Sequence, residues 1–359
     1  MITTTTTLTQ AVTLCARASS AGISVAASIL LHSDSDTLRL QATDYDLTID
    51  ASVPASGSPV DLCIPAKALL AVVGALPAGA NVELTQAGDR LTVTCGRSVW
   101  HLSGIPSQEW PALDVVDVPA DAPLLPDLSP VACAVSSDES RPALNGISLG
   151  GGVAVATDGH RLHTAPASHD GESVTLHRRA LAALGALGGA LRYTIDGRHI
   201  GIAGSIGTMT VRRVEEAFPD WRRVLPDTPE HALTIDRAAL VQAIRRVSVV
   251  GSGKHSLLRL SAAEGAVVLE MMHPDMGDAR VEVDHVMPDG ATLADRLAVR
   301  VDPIGFNPRY LLEALDAVGT SGSDVVKLGL SDCFSPVRVR APGAEVGSGV
   351  VVVVMPMRL

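Results

Sequence analysis

Apolar and polar residues repeat along this chain with two different periods. Residues 38–43 read Leu-Arg-Leu-Gln-Ala-Thr, an alternation of period 2 that is typical of a strand with one buried face. Leu311, Leu312, Leu315 and Val318 recur with the spacing of one helix face. The pattern therefore predicts a chain that mixes amphipathic helices with short antiparallel strands.

A run of five valines occupies residues 350–354, between Gly349 and Pro356. The run predicts one buried strand, since it is far too short to span a membrane. Met355, Pro356 and Met357 follow it directly. Two interpretations stay open for the methionines: they close a core, or they offer soft apolar groups to a partner.

The order of predicted elements repeats along the chain. Each repeat has a helix, a strand pair with Thr-Asp near its end, a second helix that opens at a basic position, and strands that lead to an aromatic-proline pair. The first repeat has helices at 8–20 and 65–76, with Thr43-Asp44 and Trp110 as its landmarks. The second has helices at 128–137 and 176–187, with Thr157-Asp158 and Phe218. The third has helices at 237–250 and 308–318 and lacks both landmarks. Segments rich in Pro and Asp separate the repeats, which predicts domains at 1–120, 121–229 and 230–359.

Three such units predict an α+β fold of three repeated domains, each with two inner helices and outer antiparallel sheets. Each unit would be a segment of an arc, so one chain would form half of a closed ring. Self-association of two arcs would close that ring, with the helices lining its hole.

Charge adds a possible ligand for this hole. The chain has 28 basic and 39 acidic residues, a net charge of -11, so positive charge can act only locally. Basic side chains fall on the predicted helices at Arg17, Lys67, Arg178, Arg179, Arg237, Arg245, Arg246 and Arg309. They are either solvated helix faces or loose contacts to the phosphates of a threaded DNA duplex.

Composition excludes several other classes. Three Phe, three Tyr and three Trp are too few for nucleic-acid binding by rows of stacked aromatics. Five scattered cysteines without a C-x-x-C pattern indicate a reducing compartment and no metal framework. The first residues form a threonine run without a basic or apolar leader segment, which predicts a cytoplasmic protein without membrane association.

An enzyme is the rival interpretation. Asp158 and His160, with His163 and His169 nearby, could form a hydrolase or metal cluster. However, the chain has no G-x-S-x-G, H-E-x-x-H or P-loop motif, and strand alternation would place His160 and its neighbours on opposite faces. We therefore expect no catalysis and no metal or other cofactor.

Four separated motifs carry a family resemblance: ATDGHRL at 156–162, FPDWRRVLP at 218–226, FNxxY at 306–310 and VVMPMRL at 353–359. In this order, across the whole chain, they resemble the bacterial sliding clamps, the β subunits of DNA polymerase III. The resemblance implies a head-to-tail homodimer that encircles double-stranded DNA without sequence preference and confers processivity. It also implies a groove for linear peptides of the polymerase α subunit, the clamp loader, other DNA polymerases and repair proteins.

The resemblance assigns residues to this groove from two parts of the chain. The predicted groove residues are Leu144, Thr157, Gly159, His160, Arg161, Leu162, Pro219, Arg223, Val224, His255, Asn307, Tyr310, Val353, Val354, Met355, Pro356, Met357 and Arg358. Aliphatic and Met walls suit a Leu or Phe of the peptide, and Arg161, His160 and Arg358 could hold its carbonyls or a carboxylate. This assignment favours binding as the role of the terminal methionines.

Position also implies an interface and one more DNA contact. Trp100 and Leu102 match the interface residues of the first domain, Val249 and Val250 match the complementary surface, and Arg141 stands near the DNA. An internal core is the alternative for the four apolar residues.

Some positions depart from the family pattern. Ser19 and Ser20 replace an Arg-Pro pair, which removes a basic residue expected near DNA, and Phe334 lies near the groove rim. His255 stands where an apolar ring is usual, which would disfavour very apolar ligands. The alternative function is a diverged clamp that serves as a peptide-binding scaffold with altered selectivity.

Overall fold

The structure is a computed structural model that describes residues 1–20, 24–226, 229–251, 257–263, 265–284 and 300–358. The chain packs as two compact units. The first unit comprises residues 1–125 and 176–215, and the second comprises 126–175 and 216–359. The domain boundaries predicted after residues 120 and 229 stay predictions.

Helices form a minor part of the described chain. They are α1 (Thr5–Cys15), α2 (Ala66–Gly74), α3 (Ser129–Ala132), α4 (Arg178–Leu187), α5 (Arg237–Val247) and α6 (Pro308–Gly319). Among the residues that the structure describes, no helix is long and apolar enough to cross a membrane.

Strands make up most of the regular structure. They are β1 (Ile2–Thr4), β2 (Ser28–Ser33), β3 (Thr37–Thr43), β4 (Leu47–Pro54), β5 (Asp61–Pro65), β6 (Asn81–Ala87), β7 (Arg90–Cys95), β8 (Ser98–Ser103), β9 (Ile105–Pro106), β10 (Gly146–Gly150), β11 (Val153–Thr157), β12 (Arg161–Pro166), β13 (Val174–His177), β14 (Arg192–Asp196), β15 (His199–Ala203), β16 (Gly207–Arg212), β17 (His231–Asp236), β18 (Leu258–Ala263), β19 (Ala266–His273), β20 (Gly277–Asp284), β21 (Val301–Phe306), β22 (Val325–Leu330), β23 (Val337–Arg340) and β24 (Val351–Val354).

Two antiparallel sheets build the first unit. One has four strands in the order β1-β6-β7-β8, and the other has eight in the order β14-β15-β16-β4-β3-β2-β5-β9. Helix α1 packs on α2, on α4 and on strands β3 and β4. Its buried residues, such as Leu8, Val12 and Leu14, recur with helical spacing, so one apolar stripe faces the sheet.

The second unit repeats this plan. An eight-stranded sheet has the order β13-β10-β11-β12-β24-β23-β22-β17, and a four-stranded sheet has the order β20-β19-β18-β21. Helix α6 packs on β24, α3 and α5. The α+β prediction with antiparallel strands is thus confirmed, as the pairs β3–β4 and β12–β24 illustrate.

Three predicted helices have other limits in the structure. Helix α1 begins at Thr5, because Thr4 accepts a hydrogen bond from the Thr7 amide (3.3 Å) and caps it, and it ends at Cys15 instead of Ser20. Helix α3 is a single turn instead of ten residues. Helix α4 begins at Arg178, because Leu176 lies in β13.

A candidate binding groove in the second unit

The second unit contains an apolar cavity of about 210 Å³ that opens at the protein surface. We call this cavity the groove. Its lining residues are Leu144, Thr157, Gly159, Arg161, Leu162, Pro219, Asp220, Trp221, Val224, Val353 and Met355. Nine of them belong to the predicted groove set.

Strand register builds the floor of the groove. Leu162 on β12 lies opposite Thr157 on β11 and opposite Val353 on β24. Directly opposed residues of antiparallel strands share a face, so these three side chains point the same way. Leu162 and Val353 form a buried cluster with Val153, Val155 and Trp221, which makes the floor rigid and apolar.

The opposite wall follows the Phe218-Pro219 pair. Residues Trp221–Val224 form a 3-10 helix whose Trp221 side chain is 8% exposed and packs on the floor. The guanidinium carbon of Arg222 lies 4.4 Å from the centre of the Trp221 ring, a cation–π contact. Val224 is 48% exposed and presents its methyl groups to the cavity.

A tight turn between β11 and β12 shapes one end of the groove. The Gly159 amide donates to Thr157 Oγ1 (3.1 Å), and the His160 and Arg161 amides donate to Asp158 Oδ1 (2.9 and 3.1 Å). Gly159 has φ +89°, and a Cβ there would lie 3.1 Å from Arg141 Nη1. Both the positive φ and the short distance from a Cβ to Arg141 favour glycine at this position.

Arg161 lines the cavity, but its guanidinium is bound inside the protein. Its side chain is 3% exposed and forms ion pairs with Asp158 (3.3 Å) and with Glu313 on α6. It also donates to the Cys133 carbonyl and lies 4.4 Å from the centre of the Tyr310 ring. These contacts fasten the turn to α6, and the ligand contact expected for Arg161 stays a prediction.

The chain end is held by backbone hydrogen bonds. The Met355 amide donates to the His160 carbonyl (2.9 Å), and the Met357 amide donates to the Gly305 carbonyl (2.8 Å). Met355 is 38% exposed and lines the groove. The strand that was predicted from the valine run therefore positions Met355 at the cavity.

Other predicted groove residues lie beside the cavity or away from it. The rings of His160 and Tyr310 stack with centroids 6.2 Å apart, Asn307 caps α6 through the Arg309 amide (3.0 Å), and Arg223 pairs with Asp220 (3.0 Å). Pro356 and Met357 are half-buried, and Arg358 is exposed. His255 lies outside the described residues.

The structure corrects the assignment of Val354 to the groove. It lies opposite Arg161 on β12 and Val337 on β23 and is fully buried on the other face of the sheet. Alternation along β24 sends Val353 and Met355 to the groove and Val354 to the core. A run of identical valines carries no sign of this alternation.

Sequence reasoning missed three residues of the site. Asp220 and Trp221 line the cavity, and their position directly after Pro219 was the available signal. Glu313, the ion-pair partner of Arg161, stands one helical turn after Tyr310, so it shares a helix face with this predicted groove residue.

A buried histidine lies beneath the groove. His163 is fully buried on the face of β12 opposite the cavity, and its Nδ1 donates to the Pro130 carbonyl (2.9 Å). Burial lowers the pKa of His163 to about 4. Burial also raises the pKa of the neighbouring Cys133 thiol, 3.6 Å away. Both groups are therefore neutral at pH 7.

The predicted DNA-facing residues differ in how free their charge is. In the first unit, Arg17 and Lys67 are exposed, Arg178 is half-buried, and Arg179 pairs with Asp44 (3.0 Å) and Asp46 (3.4 Å). In the second unit, Arg245 and Arg246 are exposed, whereas Arg309 pairs with Glu313 (2.8 Å) and Arg141 with Asp138 (2.9 Å).

Arg237 is half-buried, and its Nε donates to the Ser323 carbonyl (3.3 Å). Within the described ranges, Arg17, Lys67, Arg245 and Arg246 form no ion pair, so these four charges are available to a ligand.

The predicted interface residues lie at element edges. Trp100 and Leu102 are half-buried on β8, the last strand of its sheet, opposite the buried Val93 and Leu91. Val249 is 71% exposed in the 3-10 helix that follows α5, and Val250 is half-buried. An edge strand and an exposed valine are available for association, and their role stays a prediction.

The rival metal cluster lacks a suitable geometry. His160 is exposed, whereas His163 is buried on the inner face, and His169 bonds the Glu172 carbonyl (2.9 Å). No group of three or more His, Cys, Asp or Glu side chains among the described residues is placed to hold a metal ion.

Comparisons with known proteins agree on one family. The family model of the DNA polymerase III beta subunit N-terminal domain matches residues 6–114, and the model of its C-terminal domain matches residues 222–358. The beta sliding clamp of Caulobacter vibrioides is 30% identical over 367 aligned residues, which cover 94% of this chain and 93% of the relative.

Solved structures match over the whole chain. The C. crescentus beta sliding clamp aligns with a TM-score of 0.86 and 26% identity over 100% of this chain and 98% of that one. A Pseudomonas aeruginosa sliding clamp bound to griselimycin aligns with a TM-score of 0.84 and 25% identity over 100% and 99%. The chain therefore belongs to the family of bacterial DNA polymerase III β subunits, the β sliding clamps.

Proposed function

We propose that this chain is a DNA sliding clamp that closes as a head-to-tail homodimer around duplex DNA and binds linear peptides in the groove. The observation that carries the proposal is the match to β sliding clamps over nearly the whole chain, together with a groove lined by residues of the ATDGHRL, FPDWRRVLP and VVMPMRL motifs. Its partners would be the polymerase III α subunit, the clamp loader, and other polymerases and repair proteins. In this function the chain binds no cofactor and catalyses no reaction.

The groove suits a short apolar peptide. Its floor and walls present Leu162, Val353, Trp221, Val224 and Met355, and few polar atoms face the cavity. Burying one Leu and one Phe of a ligand contributes about 3 to 6 kcal/mol before the costs of ordering the peptide. Such a site binds many partners weakly and interchangeably, which a clamp shared by several proteins requires.

Replacing Val224 by aspartate should weaken peptide binding at least about tenfold, because it exchanges an apolar wall for a carboxylate that the ligand would desolvate. Fluorescence anisotropy with a labelled peptide that ends in Leu-Leu-Phe measures this. The matched control is Val115→Asp, which changes a 43% exposed valine outside the groove. Equal weakening by both variants would contradict the assignment of the groove.

The chain's charge indicates how DNA is held. A net charge of -11 opposes binding through bulk attraction, whereas exposed arginines on α5 can touch phosphates locally. Retention should therefore come from the closed ring and not from affinity.

The clamp, once loaded onto nicked circular DNA, should stay bound during gel filtration and leave when the circle is cut. Arg245→Glu with Arg246→Glu should reduce the loaded fraction and leave the fold intact. The control is Arg198→Glu with Arg213→Glu, the same change of charge beside the hairpin strands β15 and β16. Equal retention on circular and linear DNA would overturn topological binding and favour a scaffold that binds peptides alone.

Dimer formation can be tested at the two predicted surfaces. Val249→Lys should give a folded monomer, because a buried ammonium at the interface costs far more than a valine. Leu102→Lys on β8 should do the same. Light scattering of each variant at micromolar concentration measures the mass. A variant that stays dimeric would place the interface elsewhere.

A further inference from the structure

The first unit contains a second cavity, of about 170 Å³, which we call the polar pocket. It is lined by Tyr45 and Asp46 in the β3–β4 turn, by Thr48 and Thr210 on paired strands, by residues 112–114, and by His199. The cavity belongs to no site described above. Its turn and its paired strands repeat those of the groove.

The turn is the first correspondence. The Tyr45 amide donates to Thr43 Oγ1 (2.9 Å), as Gly159 does to Thr157. The Asp46 and Leu47 amides donate to Asp44 Oδ1 (3.1 and 2.8 Å), as His160 and Arg161 do to Asp158. Thr43 also pairs with Thr48 across its hairpin, as Thr157 pairs with Leu162.

The third strand is the next correspondence. Thr48 lies opposite Thr210 on β16, as Leu162 lies opposite Val353 on β24. Arg212, two residues after Thr210, donates its amide hydrogen to the Asp46 carbonyl (2.8 Å). Met355, two residues after Val353, donates in the same way to the His160 carbonyl (2.9 Å). Arg212 thus stands where the groove has Met355.

The wall corresponds by chain position only, because the groove has a 3-10 helix at Trp221–Val224 where the pocket has irregular chain at residues 113–116. Residues 112–114 follow Trp110-Pro111 as residues 220–222 follow Phe218-Pro219. At corresponding positions the pocket has Thr48 for Leu162 and Thr210 for Val353. Asp114, which lines the pocket, corresponds by chain position to Arg222, whose guanidinium stacks on Trp221. The paired strands therefore present two hydroxyls in the pocket where they present two aliphatic side chains in the groove, and Asp46 and Asp114 add carboxylates to the pocket.

Tyr45 is the most unusual residue of the pocket. It occupies the position of Gly159 with φ +73°, a left-handed conformation that disfavours residues with a Cβ. Its side chain is 67% exposed, so burial does not explain why a tyrosine stands there. The turn holds a flat aromatic face in solvent beside two carboxylates, a surface that suits a planar cation.

The charges around the pocket favour a cation. Asp46 and Asp114 line it together with His199, and among the described residues no lysine or arginine does. Nearby, Arg179 is shared between Asp44 (3.0 Å) and Asp46 (3.4 Å), and Arg212 pairs with Glu215 (3.0 Å). Within the described part of the chain, Asp114 forms no ion pair, so its carboxylate is free to accept a guanidinium.

We propose that the polar pocket is a second peptide-binding site, which receives an arginine side chain of a linear partner segment. The guanidinium would stack on the Tyr45 ring and donate to Asp114 and Asp46, while the Thr48 and Thr210 hydroxyls line the base. The two sites of one chain would then select opposite chemistries with one repeated frame. This site is independent of the groove, so its failure would leave the proposed clamp function untouched.

NMR of the full-length protein tests the proposal with Nα-acetyl-arginine methylamide as the probe. The amides of Thr48, Thr210 and Val116, whose N–H donates to Thr210 Oγ1 (2.9 Å), should shift in a saturable manner. The neutral isostere Nα-acetyl-citrulline methylamide should bind at least about fivefold more weakly, because it lacks the charge.

Asp114→Asn should weaken binding of the arginine probe about three- to fivefold, with an otherwise unchanged spectrum. Tyr45→Ala should also weaken it, and its exposed ring makes misfolding a small risk. The matched control, Asp121→Asn, removes one exposed carboxylate outside the pocket and should change nothing. Absence of saturable shifts, equal binding of citrulline, shifts confined to the groove, or no effect of Asp114→Asn would each overturn the proposal.

Discussion

Replacing Arg161 by methionine should lower the free energy of unfolding by about 3 to 5 kcal/mol. The guanidinium is 3% exposed and balances Asp158 and Glu313, so its removal leaves carboxylates in a poorly solvated site. Urea unfolding, followed by circular dichroism, measures the loss. Peptide affinity should fall as well, because the turn that carries Gly159 loses its attachment to α6.

The control is Arg223→Met, which removes an arginine that is 84% exposed and pairs with Asp220 at 3.0 Å. Exposed ion pairs contribute at most about 1 kcal/mol, so this variant should be nearly as stable as the wild type. The double variant Arg161→Met with Glu313→Gln should recover part of the loss. Equal stability of Arg161→Met and Arg223→Met would contradict the structural role of Arg161.

Acidification should destabilise the protein through His163. Its folded pKa is about 4, below the ordinary value of 6.5, because burial disfavours the imidazolium. Between these two pH values the unfolded chain binds the proton and the folded chain does not, so stability falls as pH drops below about 6.5. From pH 7 to pH 4 this one group should remove about 3 kcal/mol of unfolding free energy.

His163→Gln separates this contribution from that of the carboxylates, which both proteins share. The loss between pH 7 and pH 4 should be about 3 kcal/mol smaller in this variant than in the wild type. The matched control is His101→Gln, an exposed histidine on β8 that should follow the wild type. Parallel pH profiles of all three proteins would show that His163 titrates normally.

The groove shows how far local sequence can locate a site. Thr157, Gly159, Leu162, Pro219, Val224 and Met355 all line one cavity, and all belong to the motifs that carry the family resemblance. The resemblance assigned these residues to a groove, and each motif that carries it is a short stretch of neighbouring residues. Arg161 also lines the cavity, but local sequence could not show its ion pair with Glu313, because Glu313 lies on α6, more than a hundred residues away.

Periodicity, turn residues and repetition determined the α+β class and the antiparallel strands, because these depend on neighbouring residues and a short list of backbone conformations. The same information predicted a strand at residues 350–354. It did not predict which face of the sheet Val354 occupies, because five identical residues show no alternation. Only the tertiary structure decided which arginines are free, which face of β24 lines the groove, and that a polar cavity occupies the equivalent place in the first unit. These features depend on cross-strand register and on charges far apart in the chain, and packing alone brings them together.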